Sequence, residues 1–453
     1  MKTIEERKQE AKEYRKKTPR KDLGQWTVIK ERPVVGQLIL EQEQGRQKEL
    51  IPVRRERMSA SPFSFFRGSA AIQAYDLAAS PGTPFRVQAC GDAHISNFGL
   101  FGSPERRLIF DINDFDETLP APFEVDVKRL FASIEICGRQ KGLAKEQRES
   151  VVYNAAALYR KTMLQFSEMG NIEVWYEHLD LENLVEKRAD SLTPEHKKQI
   201  DAIIKKALSK NSERAVMKLT ETVNGKLRIK SNPPLIVPTR ELFGEDKSRF
   251  DFHYSINKAL QAYRKSLPPE RQMLIDQYEP AEMAHKVVGV GSVGRKAWIL
   301  ILMGRENGDP LVLQIKEAGP SVLEAYYGAS TCKKCGKRVV RGQRTIQNSS
   351  DILLGWVRLK NQVGIINDYY VRQLWDSKGS FDPMSLTEEN YNALSLMCTW
   401  TLAHAHAKTG DRHAIAGYLG NSDVFEDSMV KYAHAYADQN EADYDMFLKF
   451  CSR

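Results

Sequence analysis

The sequence predicts an α+β protein in which a large helical part accompanies a smaller antiparallel sheet. Apolar residues recur at three- and four-residue spacing after Asp126 and again over residues 387–408, which is the helical period. From residue 286 the chain alternates in strand fashion, with a Gly-Asp-Pro turn in the middle. With 453 residues, 42% of them hydrophobic, the chain is long enough for two or three units with cores of their own.

Changes in this pattern divide the chain into four parts. Charged residues of both signs without an apolar stripe open the sequence, and helical segments flank the strand-like alternation on both sides. We expect a charged N-terminal tail or helix, a helical lobe with two polar loops, a small β-rich lobe, and C-terminal helices that return to the helical lobe: residues 1–46, 47–285, 286–380 and 381–453.

Shorter segments also have a recognisable pattern. Residues 86–90, 107–112 and 368–374 are typical of strands. Residues 186–215 are so rich in charge that we expect solvent-exposed helices there, without chemistry of their own.

The predicted helix over residues 387–408 carries signals at both ends. Ser385 and Glu388 have the spacing of a capping box at its N-terminal end. Gly410 can close its C-terminal end. Its apolar residues share one face, so we expect this helix to pack against the core.

Composition argues against several classes of protein. The net charge of +8, from 67 basic and 59 acidic residues, suits an anionic ligand but does not indicate nucleic acid. No apolar run approaches the roughly 18 residues of a membrane span, and the N-terminus lacks the apolar stretch of a signal peptide, so we expect a cytoplasmic protein.

Six cysteines do not form a disulfide framework, and the close pair Cys332 and Cys335 fits a surface turn better than a zinc site.

The first stretch with the residues for chemistry consists of two polar loops. The segment GDAHISN begins at Gly91, and DIND begins at Asp111, fourteen residues after Asn97. Phosphoryl transfer needs an aspartate to orient the attacking hydroxyl and hard oxygen ligands to hold Mg²⁺ over the phosphates. A hairpin of this length would return Asp111 to Asp92 and Asn97, although a polar surface turn is the alternative.

Neighbouring polar residues leave several roles open. Asp114 and Asp116 add negative charge near Asp111, and either hold a second Mg²⁺ or are only solvated. Asp126 is expected to cap a helix or to bond the backbone of the first loop. His94 fits a loop histidine bonded to backbone at least as well as it fits a metal ligand.

A glycine-rich segment is the second candidate. Gly289, Gly291, Ser292 and Gly294 lie between two strand-like runs, and glycines let backbone N–H groups approach phosphate oxygens closely. A Rossmann loop needs a helix directly after the glycines and a Walker loop needs Gly-Lys-Ser/Thr, and neither follows here. A hairpin with an ordinary glycine-rich turn remains the alternative.

Lys316 lies on the next strand-like run and can supply a fixed positive charge to phosphates. Glu324, eight residues later in a helix-like segment, is a candidate ion-pair partner for this lysine. Glu317 is less suited to that role, because neighbours on a strand point to opposite faces.

Nearly the whole chain, from about residue 47 to residue 440, resembles one family of bacterial proteins. The resemblance rests on RRERMSASPFSFFRG, GDAHISNFG, SPERRLIFDINDFDET, VVGVGSVG, LQIKEAGPSVLEAY and YYVRQLWDSKG, among other segments. On these segments the chain is similar to the family called domain of unknown function 2252. The resemblance implies membership but no activity.

More distantly, GDAHISN followed by DIND resembles the catalytic and metal-binding loops of the aminoglycoside and choline phosphotransferases, which are kinase-like. This resemblance implies a two-lobed, protein-kinase-like fold that binds ATP and Mg²⁺. It implies Asp92 as the catalytic base, with Asn97 and Asp111 as Mg²⁺ ligands beside Asp114. Asp126 would match the structural aspartate that follows.

The same resemblance extends to the later segments. It implies that residues 289–294 cover the phosphates and that Lys316 binds them. The strand Tyr369–Leu374, which carries Tyr370 and Arg372, would lead to the hinge that reads adenine through its backbone.

Two features depart from that pattern. Kinases place the glycine loop, the lysine and the hinge before the catalytic and metal loops, whereas here the catalytic and metal loops come first. Circular permutation would restore the order, and it is tolerated where termini lie close on a surface. Cys90 also stands where those phosphotransferases usually carry histidine.

Three functions are consistent with these residues. The first is a phosphotransferase that moves the γ-phosphate of ATP to an unknown hydroxyl acceptor. The second is a nucleotide-binding, pseudokinase-like module without transfer. The third is a metal-dependent phosphoesterase with Asp92, His94 and Asp111 as a dinuclear centre.

Overall fold

The computed structural model describes residues 2–182, 202–224, 226–243, 256–304, 308–360 and 365–452. Within these residues the chain combines many helices with antiparallel sheets, so the predicted α+β class is confirmed. Of the charged stretch 186–215, residues 186–201 lie outside the described part of the chain.

The first strands of the chain form small sheets, and some of these sheets hold the two polar loops. Their strands are β1 Arg86–Ala89, β2 Phe98–Gly102, β3 Leu108–Ile112, β4 Leu119–Pro122, β5 Leu179–Asp180, β6 Thr220–Val223 and β7 Lys226–Ile229. Strand β1 pairs with β4, β2 pairs with β3, β3 pairs with β5, and β6 pairs with β7, all antiparallel. The predicted strands 86–90 and 107–112 are thus confirmed, and GDAHISN connects β1 to β2 while DIND ends β3 and begins the following loop.

The largest sheet has six antiparallel strands. They are β8 Ile236–Pro238, β9 Glu279–Lys286, β10 Ala297–Met303, β11 Pro310–Ala318, β12 Gly355–Lys360 and β13 Ile366–Gln373, in the order β12-β13-β11-β10-β9-β8. The glycine-rich segment connects β9 to β10, and Lys316 lies on β11, as predicted. The sheet also takes in residues before the expected boundary at residue 286. A short strand, β14 Gly379–Ser380, pairs with β2.

Both faces of this sheet are covered, as the alternating side chains of β10 show. Ile299 and Ile301 belong to an apolar cluster with Leu219, on the helix Ser212–Leu219. Leu300 and Leu302 belong to a separate cluster that includes Tyr263 and Leu267. Successive side chains of a strand point to opposite faces, and residues 299–302 are all buried because both faces are covered.

The helices account for most of the remaining described chain. Their bounds are Ile4–Tyr14, Val35–Glu43, Ile51–Met58, Pro62–Gly68, Ala70–Ala78, Phe123–Gln140, Lys145–Glu168, Asn171–Tyr176, Ser212–Leu219, Thr239–Phe243, Pro269–Ile275, Glu324–Tyr327, Cys335–Ile346, Glu388–Thr409, Arg412–Leu419 and Val424–Cys451. The four longest contribute Leu130, Val152, Leu402 and Met429 to the largest apolar core. No described helix is both long enough and apolar enough to cross a membrane.

The helix Glu388–Thr409 confirms the prediction over residues 387–408, but its N-cap residue is not the predicted one. Thr387 is the N-cap, and its hydroxyl accepts from the Asn390 N–H at 3.3 Å. The predicted capping box is wrong because Ser385 ends a separate short turn, Pro383–Ser385. Gly410 closes the helix as predicted, with its N–H donating to the carbonyl of His406.

The N-terminal residues are packed against the C-terminal helices. Arg7 forms an ion pair of 3.1 Å with Asp411, and the guanidinium of Arg15 donates to the carbonyl of Tyr418 at 2.8 Å. Arg32 is almost fully buried in an ion-pair network with Asp76 and Asp443. The first residues of the chain are therefore part of the folded body.

Cys332 and Cys335 are free thiols, as are the other described cysteines. Cys335 begins the helix Cys335–Ile346, and Cys332 lies in the loop before it. Both are partly exposed, which agrees with a surface position.

Candidate functional site

The loop that begins at Gly91 is held by the central helix Phe123–Gln140. The carboxylate of Asp126 accepts from the backbone N–H groups of Cys90 at 2.7 Å and Gly91 at 2.9 Å, which confirms its predicted structural role. Gly91 has a φ of +84°, and a Cβ there would lie 2.2 Å from the carbonyl oxygen of Glu117. Only glycine fits this tight turn without displacing backbone.

The same helix face also fixes the residue after this turn. Arg129, three residues after Asp126, donates from Nε to Oδ1 of Asp92 at 2.8 Å. Ser133, one turn further on, accepts from the Ile95 N–H at 2.8 Å. Residues three and four apart share a helix face, so one stripe of polar side chains positions the whole loop.

Asp92 is a partly exposed carboxylate that is paired with Arg129. Its side chain is 24% exposed. Burial raises the pKa of Asp92 to about 6, although Arg129 opposes this effect. His94 Nε2 lies 3.9 Å from Asp92, and burial with the charges of Arg67 and Arg129 holds the pKa of His94 well below its ordinary value. The imidazole is therefore neutral.

Asn97 joins the two polar loops. Its Nδ2 donates to the carbonyls of Asp92 at 2.9 Å and Asp114 at 3.0 Å, and its Oδ1 accepts from the Asp114 N–H at 2.9 Å. The predicted return of the second loop to the first is confirmed. Asp114, however, is the acidic residue that Asn97 contacts.

Asp111 is turned towards a different neighbour. Its carboxylate accepts from the N–H groups of Ile112 at 2.7 Å and Asn348 at 3.1 Å, and it is only 4% exposed. Burial raises the pKa of Asp111 to about 6. Among the described residues no three His, Cys, Asp or Glu side chains form a group that could hold a metal ion. The dinuclear centre of Asp92, His94 and Asp111 is therefore not assembled.

Lys316 reaches the second polar loop from the large sheet. Its Nζ lies 3.0 Å from Oδ2 of Asp114 and 3.1 Å from Oδ2 of Asp116. Burial alone would lower the pKa of Lys316, but these two carboxylates raise it above its ordinary value. Burial would likewise raise the pKa of Asp114, and Lys316 with Arg372 holds it below its ordinary value instead. A cation and two carboxylates that are about 200 residues apart in sequence thus share one site.

Tyr370 and Arg372 lie beside Lys316 on the neighbouring strand β13. Tyr370 is directly opposite Lys316 in the β11–β13 register, and the Lys316 Nζ is 5.2 Å from its ring centroid. Arg372 donates to the carbonyl of Asn113 at 2.7 Å. These two predicted cofactor-binding residues therefore lie in the same site as Lys316.

A family model describes uncharacterised proteins conserved in bacteria, DUF2252, and it matches residues 46–450 of the chain. The chain belongs to this family. Searches of curated proteins and of solved structures found no significant match.

The glycine-rich hairpin of the DUF2252 protein lies against the segment that precedes the first polar loop. Gly289 and Gly294 have φ values of +70° and +90°, and the Ser292 hydroxyl donates to the Val288 carbonyl at 2.9 Å. A Cβ on Gly291 would lie 3.3 Å from the carbonyl oxygen of Arg67. The glycine-rich hairpin is thus an ordered turn that contacts the segment before the first polar loop.

Arginines from the helical part hold this hairpin in place. Arg46 donates to the carbonyl of Val293 at 2.6 Å, and Arg57 donates to the carbonyl of Gly289 at 2.5 Å. Both bonds use carbonyl oxygens of the hairpin, so they occupy none of its N–H groups. Arg57 belongs to the segment RRERMSASPFSFFRG, so this segment contacts the glycine-rich hairpin.

Glu324 of the DUF2252 protein does not pair with Lys316, so that prediction is wrong. Its carboxylate accepts from the N–H groups of Ser321 at 3.0 Å and Ser330 at 3.2 Å, and it lies 3.7 Å from the guanidinium of Arg338. The helix Glu324–Tyr327 has only four residues, and its glutamate is used to order the loops on either side. The carboxylates beside Lys316 come instead from the second polar loop.

Lys378 is a residue of this site that the sequence pattern did not identify. It is partly buried and lines a small cavity with Asn113, Arg372 and Gln343, and it has no hydrogen-bond or ion-pair partner among the described residues. Burial lowers the pKa of Lys378 to about 7, with Arg372 acting in the same direction. Lys378 lies between the large sheet and the helix Glu388–Thr409, and no sequence motif around it marks this lysine as part of a site.

Charged groups of both signs meet in this site of the DUF2252 protein. Lys316 and Arg372 act on Asp114, and Lys378 shares a small cavity with Arg372, Asp351 and Asp376. Oδ1 of Asp116 is buried without a hydrogen-bond partner among the described residues. Mg²⁺ is commonly held by one or two carboxylates and completed by substrate phosphates, so Asp114 and Asp116 fit such an ion better than Asp111 does.

Proposed function

We propose that the protein is a phosphotransferase with a circularly permuted, protein-kinase-like arrangement of two lobes that binds ATP and Mg²⁺. The observation that carries this proposal is the 3.0 Å contact between Lys316 of the large sheet and Asp114 of the second polar loop. Phosphoryl transfer requires a cation on the phosphates and carboxylates for the metal within one site. The glycine hairpin and the Asp92 loop meet at Arg67, which supports a single cleft between them.

Each residue has a definite part in the reaction. Lys316 and Arg372 neutralise the phosphate chain, and Asp114 with Asp116 would hold Mg²⁺, which would supply further charge neutralisation to the phosphates. Asn97 fixes the metal-holding loop relative to Asp92. The Asp92 carboxylate accepts the proton of the acceptor hydroxyl as that oxygen attacks the γ-phosphorus.

Replacing Lys316 by methionine should weaken the affinity for Mg²⁺-ATP by about 10- to 100-fold, the usual contribution of a charge-assisted hydrogen bond. Isothermal titration calorimetry with a non-hydrolysable ATP analogue measures this loss. The matched control is Lys360→Met, since Lys360 is an exposed lysine at the end of β12 in the same sheet. Equal affinity of the Lys316 variant and the control, with both folded by thermal unfolding, would contradict a nucleotide site at Lys316.

Binding of the nucleotide at pH 8 should be accompanied by the uptake of about one proton, taken by Lys378. The free lysine has a pKa of about 7, set by burial and by Arg372, Lys316 and Lys210, with Asp114 acting in the opposite sense. A phosphate beside it raises that pKa, so the lysine is mostly neutral before binding and charged afterwards.

Calorimetry in two buffers of different ionisation enthalpy measures the number of protons taken up. The variant Lys378→Met should lose the uptake, whereas Lys360→Met should keep it. If the Lys378 variant takes up as many protons as the unmodified protein, another group is responsible and Lys378 does not face the phosphates.

A further inference from the structure

Arg67 is an arginine beside Asp92 that the reaction described above does not use. It is the penultimate residue of the helix Pro62–Gly68. Its Nε atom is buried without a hydrogen-bond partner, and the side chain makes no hydrogen bond or ion pair with any residue that the structure describes. Since an unpaired guanidinium is costly to bury, this arginine is suited to a ligand.

Arg67 is not required to compensate the charge of Asp92, because Arg129 already does so. Arg129 is 3% exposed and donates to Asp92 Oδ1 at 2.8 Å, to Gln73 Oε1 at 3.0 Å and to the carbonyl of Phe66 at 2.7 Å. The side chain of His94 is neutral, as its lowered pKa shows. Asp92 is thus already paired with Arg129, and the Arg67 guanidinium remains without an ion-pair partner among the described residues.

Contacts of the neighbouring residue connect Arg67 to Asp92. The carbonyl of Phe66, the residue before Arg67, accepts from Arg129, which also donates to Asp92 Oδ1 at 2.8 Å. Asp92, Asp382 and Cys137 are the groups that act on the Arg67 guanidinium electrostatically. In the proposed reaction Asp92 faces the attacking hydroxyl, so an unpaired guanidinium near this carboxylate belongs with the acceptor.

We propose that the acceptor carries an oxyanion, a carboxylate or a phosphate, close to its reactive hydroxyl, and that Arg67 binds this group. This inference rests on the proposed phosphotransferase function. Arginine binds both oxyanions through two parallel N–H donors, which would hold the hydroxyl against Asp92. In the transfer, the hydroxyl oxygen forms a bond to the γ-phosphorus, and the bond from that phosphorus to the β–γ bridging oxygen breaks. Its electron pair leaves with ADP, and Asp92 takes the hydroxyl proton.

The test measures binding of inorganic phosphate by calorimetry to protein saturated with a non-hydrolysable ATP analogue and Mg²⁺. The unmodified protein should bind phosphate, and Arg67→Gln should weaken that binding by about 10-fold or more, as expected for loss of a charged hydrogen bond. Affinity for the analogue should stay within about 2-fold, since Arg67 is not part of the phosphate-chain cluster. A parallel titration with acetate distinguishes a carboxylate-binding site from a phosphate-binding one.

The control is Arg341→Gln, because Arg341 is an exposed arginine on the helix Cys335–Ile346. It should change neither affinity. If Arg67→Gln weakens the analogue as much as it weakens phosphate, Arg67 is a ligand of the nucleotide and the inference is overturned. Absence of phosphate and acetate binding to the saturated, unmodified protein would also overturn it.

Failure of the underlying function gives a different result. If the unmodified protein does not bind the analogue at all, the proposed nucleotide site is wrong. Titration of the nucleotide-free protein with inorganic phosphate then still tests Arg67, because a built oxyanion site loses affinity in Arg67→Gln and keeps it in Arg341→Gln. Equal affinities of these two variants would show that Arg67 binds no oxyanion.

Discussion

Replacing Asp92 by asparagine should lower the turnover of ATP by about 10²- to 10⁴-fold, the range in which a positioned general base contributes to a rate. The amide can still accept from Arg129 Nε, which donates to Asp92 at 2.8 Å, so the loop should keep its shape. The amide cannot take a proton from a hydroxyl. Release of ADP, coupled to an optical assay, measures turnover even when water is the acceptor.

Nucleotide affinity provides the second readout for this variant. The analogue should bind to Asp92→Asn within a few-fold of the unmodified protein, because the phosphate cations and Asp114 are unchanged. Asp445→Asn, at an exposed position of the last helix, is the control and should keep full turnover. Unchanged turnover in Asp92→Asn would remove this residue from the mechanism. Tight nucleotide binding without turnover in the unmodified protein would favour the pseudokinase-like alternative.

Replacing Arg32 by methionine should destabilise the fold by about 3–5 kcal/mol, which is typical when one partner of a buried ion pair is removed. Arg32 donates to both carboxylate oxygens of Asp76, at 2.7 and 2.9 Å, and to both of Asp443, at 2.8 and 2.5 Å. Both aspartates are at most 2% exposed, so the variant would leave two adjacent buried carboxylates without their cation. Urea unfolding at pH 7 measures the free-energy change.

The pH dependence of this variant has a definite sign. Without Arg32 the pKa of at least one of the two carboxyls in the folded state rises above its value in the unfolded chain. The folded variant then binds more protons, so its deficit relative to the unmodified protein should shrink as the pH falls from 7 towards 5. The control is Arg106→Met, whose side chain is 74% exposed in its pair with Asp376 and should cost less than about 1 kcal/mol. A deficit below that of the control would show that the network does not stabilise the fold.

Much of the fold was predictable because it depends on repeating patterns. The helix Glu388–Thr409 and the strands on both sides of the glycine hairpin follow directly from the period of their apolar residues. The N-cap of that helix was not predictable from the sequence, because serine and threonine are both good N-cap residues. The preceding turn Pro383–Ser385 decides in favour of Thr387.

The residue types of the candidate site were predictable, but the orientation of each side chain was not. Asp111 and Asp114 are three residues apart on one strand end, and no pattern states which carboxylate faces Lys316. The structure turns Asp111 towards the Asn348 N–H and Asp114 towards Lys316. The sequence did contain a signal for Arg129, because this residue lies three positions after Asp126 and so shares its face of a largely buried helix.

The ion pairs of Arg32 also affect how the protein can be made in the cell. Arg32 and Asp443 are separated by 411 residues, so the first cannot meet the second until the last helix has left the ribosome. At the usual 5–20 residues per second this delay is on the order of 20–80 s. During that time the nascent N-terminal helices lack the surface that finally covers them, so the apolar side chains on that surface stay exposed until the last helix is made.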